Sequence, residues 1–274
     1  MLEKIIKEVF NCEDYEVKDY DKGLSNHNYL LTINGEKYIV RIPMEASNHL
    51  FNRANEAEVG KKCQDLDLET IYFNTDTGIK ITKFNEDVKD FEESDLNDEE
   101  KVIRVAKLLK KLHTKPKADI DFNPIDKLIT YRNHIKNPII DLSKYDLIIS
   151  KVNKLEFETV LCHNDVVSGN VLFSDSKDYL IDYEYAANND PLFDVMSFLS
   201  ENNITDLYLR ARFYDVYFDE FTKETYSQLT LWEAFHNILW CNWAMMMYEN
   251  TNDDIYKKIA NDKYEALKAM EIEL

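Results

Sequence analysis

Glycine is scarce in this chain of 274 residues, which contains only five. An average composition would supply roughly nineteen, so we expect each glycine to stand where the backbone needs one. The four cysteines lie far apart in the sequence and form no CxxC pair. This spacing predicts reduced, mostly buried thiols, and it argues against both a disulfide framework and a zinc site.

An excess of basic residues and long apolar runs are also missing. The sequence has 33 lysines and arginines against 52 aspartates and glutamates, which gives a formal charge of −19. Because binding to nucleic acid or to an anionic membrane requires a basic surface, both are poor partners. No apolar run approaches the roughly 18 residues of a membrane span, and the N-terminal segment turns acidic early. We therefore expect a cytoplasmic protein, whose oligomeric state the sequence leaves open.

The pattern of apolar residues changes near residue 85. Before it, short strand-like runs flank Asn34-Gly35 and Asp76-Thr77-Gly78. These turns predict two β-hairpins, because Asn and Gly tolerate the positive φ angles that tight hairpin turns require. Between the hairpins, residues 49 to 64 predict one helix. The segment therefore reads as a small sheet with a helix laid across it.

After residue 100 the pattern is helical, with one interruption at residues 159 to 182, which predict a strand, a polar loop and a β-hairpin. About four helices are predicted from Pro191 to the end. We predict an α+β fold with a cleft between two lobes. The first is a small antiparallel-sheet lobe at 1–84, and the second is a larger helical lobe at 85–274.

A polar segment within the interruption, CHNDVVSGN, has the spacing H-x-D-x-x-x-x-N. In kinases this spacing marks the catalytic loop, in which Asp accepts the hydroxyl proton and Asn holds Mg²⁺. Asp165 and Asn170 occupy the positions of that Asp and that Asn in this sequence. We interpret His163 as a residue that organises this catalytic loop. Asp182 ends the next apolar strand, where a second hard-oxygen ligand for Mg²⁺ is needed. The alternative is that Asp and Asn in this turn only form hydrogen bonds with the local backbone. The strands beside the turn, the β-rich part before it and the helical part after it favour a magnesium-dependent kinase that uses ATP.

The N-terminal part of the sequence offers partners for that nucleotide. Residues 22 to 28 (KGLSNHN) lie between two predicted strands in the place of a loop over phosphates, although they lack a GxGxxG pattern. Arg41 ends the strand KYIVRI, where kinases place a cation for the phosphates, and Glu56 in the next helix can hold it. An ordinary surface ion pair is the alternative. The candidate nucleotide-binding residues are Gly23, Ser25, Asn26, Asn28, Arg41, Glu56 and Phe84.

The three tryptophans all lie between residues 232 and 243 in one predicted helix. Trp240 and Trp243 are three residues apart and share a stripe, whereas Trp232 lies on a neighbouring stripe that we assign to core packing. A quaternary ammonium group cannot donate hydrogen bonds, and each aromatic ring face can stabilise it by about 0.5 to 2 kcal/mol. Trp240 and Trp243 are therefore candidate walls of an ammonium pocket, with core packing as the alternative.

Two signatures together resemble one family. CHNDVVSGNVL is similar to the catalytic loop of choline and ethanolamine kinases, and IDYEYAANNDPLFDVMSFLSE is similar to their second signature. These kinases stand within the aminoglycoside-phosphotransferase-like group of the protein-kinase-like fold, and the resemblance, which covers nearly the whole chain, is greatest to bacterial choline kinases. It implies ATP-dependent phosphorylation of choline with Mg²⁺. It also implies that Asp165 is the base, that Asn170 and Asp182 bind the metal, and that Glu184 assists there.

The same resemblance implies the substrate pocket. The family has a Trp-x-x-Trp at the position of Trp240 and Trp243, with further walls expected from Tyr185 and Tyr256 and a compensating charge from Glu201. Three alternatives remain, namely an ethanolamine kinase, an aminoglycoside phosphotransferase and a non-catalytic choline-binding regulator. The tryptophan pair argues against an open carboxylate-rich pocket for aminoglycosides, and the intact metal-ligand set argues against a regulator.

Overall fold

The computed structural model describes residues 2–20, 26–44 and 51–270. The chain divides into two compact units. The first unit contains the residues up to Glu93 together with Ser168–Ala186, and the second contains Ser94–Val167 and Ala187–Leu274. The lobe boundary after residue 84 stays a prediction.

The described part of the first unit is built on a five-stranded antiparallel sheet with the order β1-β2-β3-β5-β4. Its interior is formed by alternate strand residues such as Leu31, Val40 and Ile81, which are fully buried and pack with Ile6 of the first helix. The elements are α1 (Leu2–Phe10), β1 (Glu16–Asp19), β2 (Asn26–Ile33), β3 (Glu36–Pro43), α2 (Arg53–Lys62), β4 (Thr70–Phe73) and β5 (Lys80–Lys83).

Both predicted hairpins of this sheet are confirmed. Asn34 and Gly35 join β2 to β3 with φ angles of 51° and 83°, as a two-residue hairpin turn requires. Gly78, with a φ of 73°, lies in the turn before β5. One expectation is wrong, because Asn26 to Asn28 belong to strand β2 and not to a loop. Gly23 and Ser25 of that predicted loop lie outside the described residues.

A second, three-stranded sheet completes the first unit, with the order β6-β8-β9. It consists of β6 (Lys89–Asp90), β8 (Val171–Phe173) and β9 (Asp178–Leu180). The β8–β9 pair is the hairpin that the sequence predicts, and short 3₁₀ turns at Ser168–Asn170 and Tyr183–Tyr185 stand at its two ends. The Leu180 N–H donates to the Leu66 carbonyl at 2.8 Å, which ties this hairpin to the segment after α2.

The second unit is mostly helical. Its long helix α8 packs against α6 and α9 and buries Trp232, Phe235 and Leu239, so the core assignment of that stripe is confirmed. Two short strands, β7 and β10, pair antiparallel beside α6. The elements are α3 (Glu99–Leu112), α4 (Pro124–Asn133), α5 (Asp146–Val152), β7 (Val160–Cys162), β10 (Ala187–Asn189), α6 (Pro191–Glu201), α7 (Leu207–Tyr217), α8 (Lys223–Thr251) and α9 (Asp254–Ala269).

Two sequence expectations can be compared with these elements directly. Four helices follow residue 190, as predicted, and Pro191 begins the first of them. Cys63, Cys162 and Cys241 are buried, as their spacing predicts, while Cys12 is half-buried. No helix in the described ranges is long and apolar enough to cross a membrane.

Candidate active site

Arg41 is a buried cation on strand β3, held by two carboxylates of the first unit. Its Nη2 lies 2.6 Å from Glu56 Oε1, and its Nη1 lies 2.7 Å from Asp182 Oδ1. Nη2 also donates to the Gly78 carbonyl at 3.2 Å. Only 9% of the Arg41 side chain and 2% of the Glu56 side chain are exposed, so this is not a surface ion pair. The structure thus brings together Arg41, Glu56 and Asp182, three of the residues that the sequence selects.

The charge of Arg41 is secured by these neighbours. Burial works against the charged form, but the carboxylates of Glu56 and Asp182 outweigh it and raise the pKa of Arg41 above its usual value. Arg41 therefore presents a permanent positive charge beside Asp182. Such a fixed cation is what a kinase needs beside the phosphates of its nucleotide.

A second buried arginine, Arg53, joins the same network, and the sequence analysis missed it. Its Nη1 lies 2.7 Å from Glu56 Oε2 and 3.1 Å from Glu184 Oε2, and its guanidinium lies over the Phe51 ring at 4.8 Å. Asn26 Nδ2 donates to the same Glu184 oxygen at 3.4 Å. Arg53 is three residues before Glu56, so the helical spacing of an oppositely charged pair was the available signal.

The network holds more negative than positive charge. Two arginines face the three carboxylates of Glu56, Asp182 and Glu184, which gives a net charge of 2 − 3 = −1 when all three carboxylates are ionised. Burial and the nearby Asp182 carboxylate raise the pKa of Glu184 to about 7, although Arg41 and Arg53 oppose this shift. A buried excess of carboxylate charge is an arrangement that a bound cation would stabilise.

The β8–β9 hairpin places Asn170 and Asp182 next to each other at its open end. The Ile181 N–H donates to the Asn170 carbonyl at 2.9 Å, which extends the ladder by one residue beyond Val171 and Leu180. Asp182 then turns into the left-handed region, with φ 66° and ψ 65°. A non-glycine residue in this region costs about 1 to 2 kcal/mol, which is typical of functional positions.

The donor set at this hairpin end fits Mg²⁺. Asn170 supplies an amide oxygen, Asp182 a carboxylate that is 25% exposed, and Glu184 a carboxylate two residues further on. Hard oxygen donors of this kind suit Mg²⁺ and do not suit the softer transition metals. The Asn170 and Asp182 side chains would hold the ion, with Glu184 as the assisting group.

The remaining predicted nucleotide residues lie at the sheet. Asn28 is the register partner of Arg41 across β2 and β3, and its carbonyl accepts from the Tyr20 N–H at 2.8 Å. Phe84 follows β5, where its N–H donates to the Lys37 carbonyl at 2.9 Å and its ring meets Tyr20 edge-on.

A cavity of about 960 Å³ also opens beside α2 and the edge strand β4, and both Glu56 and Phe84 line it. Its other acidic lining residues are Asp67, Glu69 and Glu86, and its basic lining residues are Lys61, Lys80, Lys83 and Lys177. Four charges of each sign give no preference for a polyphosphate. The cluster around Arg41 is the better candidate for the phosphates, because its carboxylate and amide donors would also hold the Mg²⁺ that neutralises them.

In the second unit, Asp194 of helix α6 holds the start of the predicted catalytic loop. Its carboxylate accepts the backbone N–H groups of His163 and Asn164, each at 2.7 Å, and lies 3.1 Å from His113 Nε2. Asp194 and His163 are fully buried. Asn164 is in the left-handed region with a φ of 65°, and its side-chain oxygen accepts from Asn189 Nδ2 at 2.9 Å.

The chain on the other side of Asp165 is fixed by the same helix. The Val166 N–H donates to Ser197 Oγ at 2.8 Å, and Asn202 Nδ2 donates to the Val166 carbonyl at 3.0 Å. Asp194 and Ser197 are three residues apart and share one face of α6. Asp165 is therefore a half-buried carboxylate whose two neighbouring residues are both anchored. The sequence analysis gave Ser197 no role, since a lone serine in an apolar helix carries no signal.

Three aromatic rings form a contiguous cluster between α8 and α9. Trp240 and Trp243 lie edge-to-face with ring centroids 6.1 Å apart, and Trp243 and Tyr256 lie edge-to-face at 5.6 Å. Trp240 Nε1 donates to His236 Nδ1 at 3.1 Å, and His236 Nε2 lies 3.0 Å from the Phe193 carbonyl. These two contacts fix the orientation of the His236 ring. The structure thus brings together Trp240, Trp243 and Tyr256.

Glu201 ends helix α6 close to this cluster. Its Oε1 lies 3.5 Å from His236 Nδ1, and its Oε2 lies 2.8 Å from Lys263 Nζ. Burial works against the ionised form, but Lys263 and His236 together outweigh it and lower the pKa of Glu201. The sequence analysis missed Lys263, although it lies seven residues after Tyr256 and therefore on the same face of a helix. Tyr185, the remaining predicted wall, lies in the first unit with its ring edge-on to Phe51.

The chain is similar to known proteins over most of its length. The model of the choline/ethanolamine kinase family matches residues 17–268. Protein LicA of Haemophilus influenzae is 25% identical over 250 residues, which cover 83% of this chain and 72% of LicA. The structure of choline kinase LicA from Streptococcus pneumoniae superposes with a TM-score of 0.83 at 23% identity, covering 98% of this chain and 99% of that one.

An ethanolamine kinase from Plasmodium vivax also superposes, with a TM-score of 0.76 at 18% identity over 93% of this chain and 82% of that one. These likenesses confirm the predicted two-lobed, protein-kinase-like α+β fold. The family match spans far more than half of the sequence. The chain therefore belongs to the choline/ethanolamine kinase family.

Proposed function

We propose that the chain transfers the γ-phosphoryl group of ATP to the hydroxyl group of choline, with Mg²⁺ as the metal cofactor. The observation that carries this proposal is the edge-to-face cluster of Trp240, Trp243 and Tyr256 beside the Glu201 carboxylate. The family supplies the kinase chemistry, and this cluster selects the alcohol.

The aromatic cluster suits a trimethylammonium group for a physical reason. Such a group has no N–H to donate, so only ring faces and nearby negative charge can replace its water. Trp240 and Tyr256 are buried and Trp243 is half-buried, so a cation bound against their ring faces would lose part of its hydration. Cation–π attraction rises to about 2 kcal/mol per ring when water is excluded.

Glu201 adds the compensating negative charge. Its Oε1 atom is buried and has no hydrogen-bond donor within the described ranges. A buried carboxylate oxygen without a donor costs free energy. A substrate cation at the aromatic cluster would offset that cost, even when the cation offers charge alone.

The first unit supplies the groups for ATP. Arg41, fixed by Glu56, would pair with the phosphates, and Asn170, Asp182 and Glu184 would hold Mg²⁺. When bound, Mg²⁺ neutralises the β- and γ-phosphate oxygens and positions them for transfer. This requirement is strong here, because a chain with a formal charge of −19 otherwise repels a polyanionic nucleotide.

Asp165 would act as the catalytic base. Its carboxylate accepts the proton of the choline hydroxyl as that oxygen forms a bond to the γ-phosphorus. The bond between the γ-phosphorus and the β–γ bridging oxygen breaks, and ADP leaves with that oxygen. The anchoring of Asn164 and Val166 on α6 keeps Asp165 in place during this step.

Ethanolamine is the second candidate, because a primary ammonium would donate a hydrogen bond to the same Oε1 atom of Glu201. An aminoglycoside is a poorer fit. Its several ammonium groups require several carboxylates, whereas the carboxylate of this cluster is already paired with Lys263.

A coupled assay of ADP release tests the proposal with choline, ethanolamine and kanamycin as separate substrates. We expect choline to give the highest kcat/KM and omission of Mg²⁺ to stop turnover. Asp165→Asn should lower kcat by about 10²- to 10⁴-fold while it leaves nucleotide binding intact. Absence of choline turnover above background at millimolar concentration would refute the proposal.

A further inference from the structure

Lys263 places its side-chain amine beside the candidate ammonium pocket. Its residue exposure is only 8%, and its Nζ lies 2.8 Å from Glu201 Oε2 and 3.4 Å from the Ser200 carbonyl. Lysine is rarely buried unless it is paired. Here the pair consists of Lys263 and the same carboxylate that is proposed to compensate the substrate.

The position of Lys263 is fixed by both helices. Tyr256, Ala260 and Lys263 follow one another along one buried face of α9. Both acceptors of Lys263 Nζ belong to the last turn of α6, where the helix dipole adds negative potential. Lys263 is therefore anchored at the end of α6.

We propose that Lys263 is a specificity-determining residue that favours quaternary over primary ammonium substrates. The proposal rests on the proposed function, since it concerns the choice of alcohol in the same pocket. Lys263 compensates the negative charge of Glu201 in the absence of substrate. The carboxylate therefore attracts a substrate cation less strongly and has one oxygen fewer to accept its hydrogen bonds.

The two substrate classes respond differently to this loss. A primary ammonium leaves three strong hydrogen bonds in water and needs oxygen acceptors to replace them. Because Glu201 Oε2 is paired with Lys263, a primary ammonium finds fewer acceptors in the pocket. The Lys263 ammonium group nearby also repels it. A quaternary ammonium needs no acceptors and spreads its charge over its methyl groups. Its main attraction comes from the rings of Trp240, Trp243 and Tyr256. The ion pair between Lys263 and Glu201 leaves this cation–π attraction unchanged.

A purely structural tie between α6 and α9 is the competing interpretation. Both interpretations expect a lower melting temperature when Lys263 is replaced, because one partner of a buried ion pair is lost. Only the specificity role expects the ratio of kcat/KM for choline to kcat/KM for ethanolamine to change. That ratio is measured on one protein, so it is independent of how much enzyme is folded.

The test compares Lys263→Met and Lys263→Gln with Lys263→Arg as the control that keeps the charge. The glutamine variant retains a donor for Glu201, so it keeps the experiment usable where the methionine variant does not fold. We expect the choline-to-ethanolamine ratio to fall by about tenfold or more in the two neutral variants, since a like charge beside a binding site disfavours one partner over another. The arginine variant should keep the ratio of the native protein.

A binding measurement separates failure of this inference from failure of the proposed function. The affinities for tetramethylammonium and methylammonium, followed by tryptophan fluorescence, report the pocket without turnover. An unchanged preference for tetramethylammonium in both neutral variants would overturn the role of Lys263. Lack of turnover of both alcohols by the native protein, with the preference still lowered in the variants, would refute the proposed function and leave the role of Lys263 standing.

Discussion

Nη1 of Arg41 lies 2.7 Å from Oδ1 of Asp182, so the candidate cation for the phosphates and a candidate ligand for Mg²⁺ hold each other. Arg41 is held in place by its ion pair with Glu56, and Asp182 is held in place by the end of the β8–β9 hairpin. A nucleotide phosphate would bind Arg41, and a metal ion would bind Asp182. The pair therefore keeps both groups in place while neither ligand is bound.

Replacing Arg41 with methionine tests its role. We expect Arg41→Met to lower kcat by about 10²- to 10³-fold, the usual cost of losing one group that stabilises transition-state charge. Steady-state kinetics with varied ATP measure this effect. Lys80→Met is the matched control, because Lys80 is the register partner of Arg41 on β5 and forms its own buried pair with Asp67 at 2.9 Å.

Both variants lose a buried ion pair and should be destabilised to a similar degree, which urea denaturation measures. If Lys80→Met lowered kcat as much as Arg41→Met, general destabilisation would explain both results.

Gly78 is predicted to support both arginines of the network. A Cβ atom there would lie 2.6 Å from Arg53 Nε and 2.8 Å from a Pro43 ring carbon. We expect Gly78→Ala to displace Arg53 and to weaken nucleotide binding, measured by titration calorimetry. Gly35→Ala is the control, since Gly35 has a similarly positive φ of 83° but nothing within 4 Å of a Cβ atom.

The two alanine variants should lose similar stability from backbone strain, about 1 kcal/mol each. Equal nucleotide affinity in the two variants would show that Gly78 serves only the turn.

Asp194 is predicted to act as a positioning residue for the catalytic loop. Asp194→Asn replaces one acceptor oxygen by an NH₂ group that faces a backbone N–H, which costs about 1 to 3 kcal/mol of stability. A shift of the loop that moves Asp165 by about 1 Å can lower kcat about 10²-fold. We expect this loss of kcat together with an unchanged KM for ATP.

Asp190→Asn is the control on the same helix, where Asp190 caps α6 and accepts from Trp232 Nε1 at 2.8 Å. Asparagine is also a good helix cap, so kcat should change little. A reduction of kcat by Asp190→Asn equal to that of Asp194→Asn would refute a special role for Asp194.

The tryptophans give the prediction for the substrate. Trp243→Ala should raise the KM for choline about 2- to 30-fold, which corresponds to about 0.5 to 2 kcal/mol of cation–π attraction. Its kcat should change less. Trp232→Phe, a change in the core of the same helix at a residue only 1% exposed, should leave the KM for choline unaltered. A Trp243 variant with native choline kinetics would remove this ring from the pocket.

The sequence could predict those features of the fold and the site that depend on residues close together in the chain. The dipeptide Asn34-Gly35 predicted one hairpin correctly, and its two residues have the positive φ angles that the turn requires. The H-x-D-x-x-x-x-N spacing predicts the catalytic loop, and that assignment stays a prediction. Lys263 was missed because a single charged residue in a helix looks like solvent-exposed surface until its carboxylate partner is known. Arg53 was missed because an i, i+3 ion pair such as Arg53 with Glu56 is common on exposed helix surfaces. The pairing of Arg53 with Glu184 joins residues 131 positions apart, which no local pattern reveals.

Phosphorus NMR of the reaction mixture tests the central claim most directly. With ATP, Mg²⁺ and choline, we predict a new phosphomonoester signal of phosphocholine that grows in step with ADP. Formation of inorganic phosphate alone, or no consumption of ATP when choline is added, would contradict the assignment of choline as the substrate.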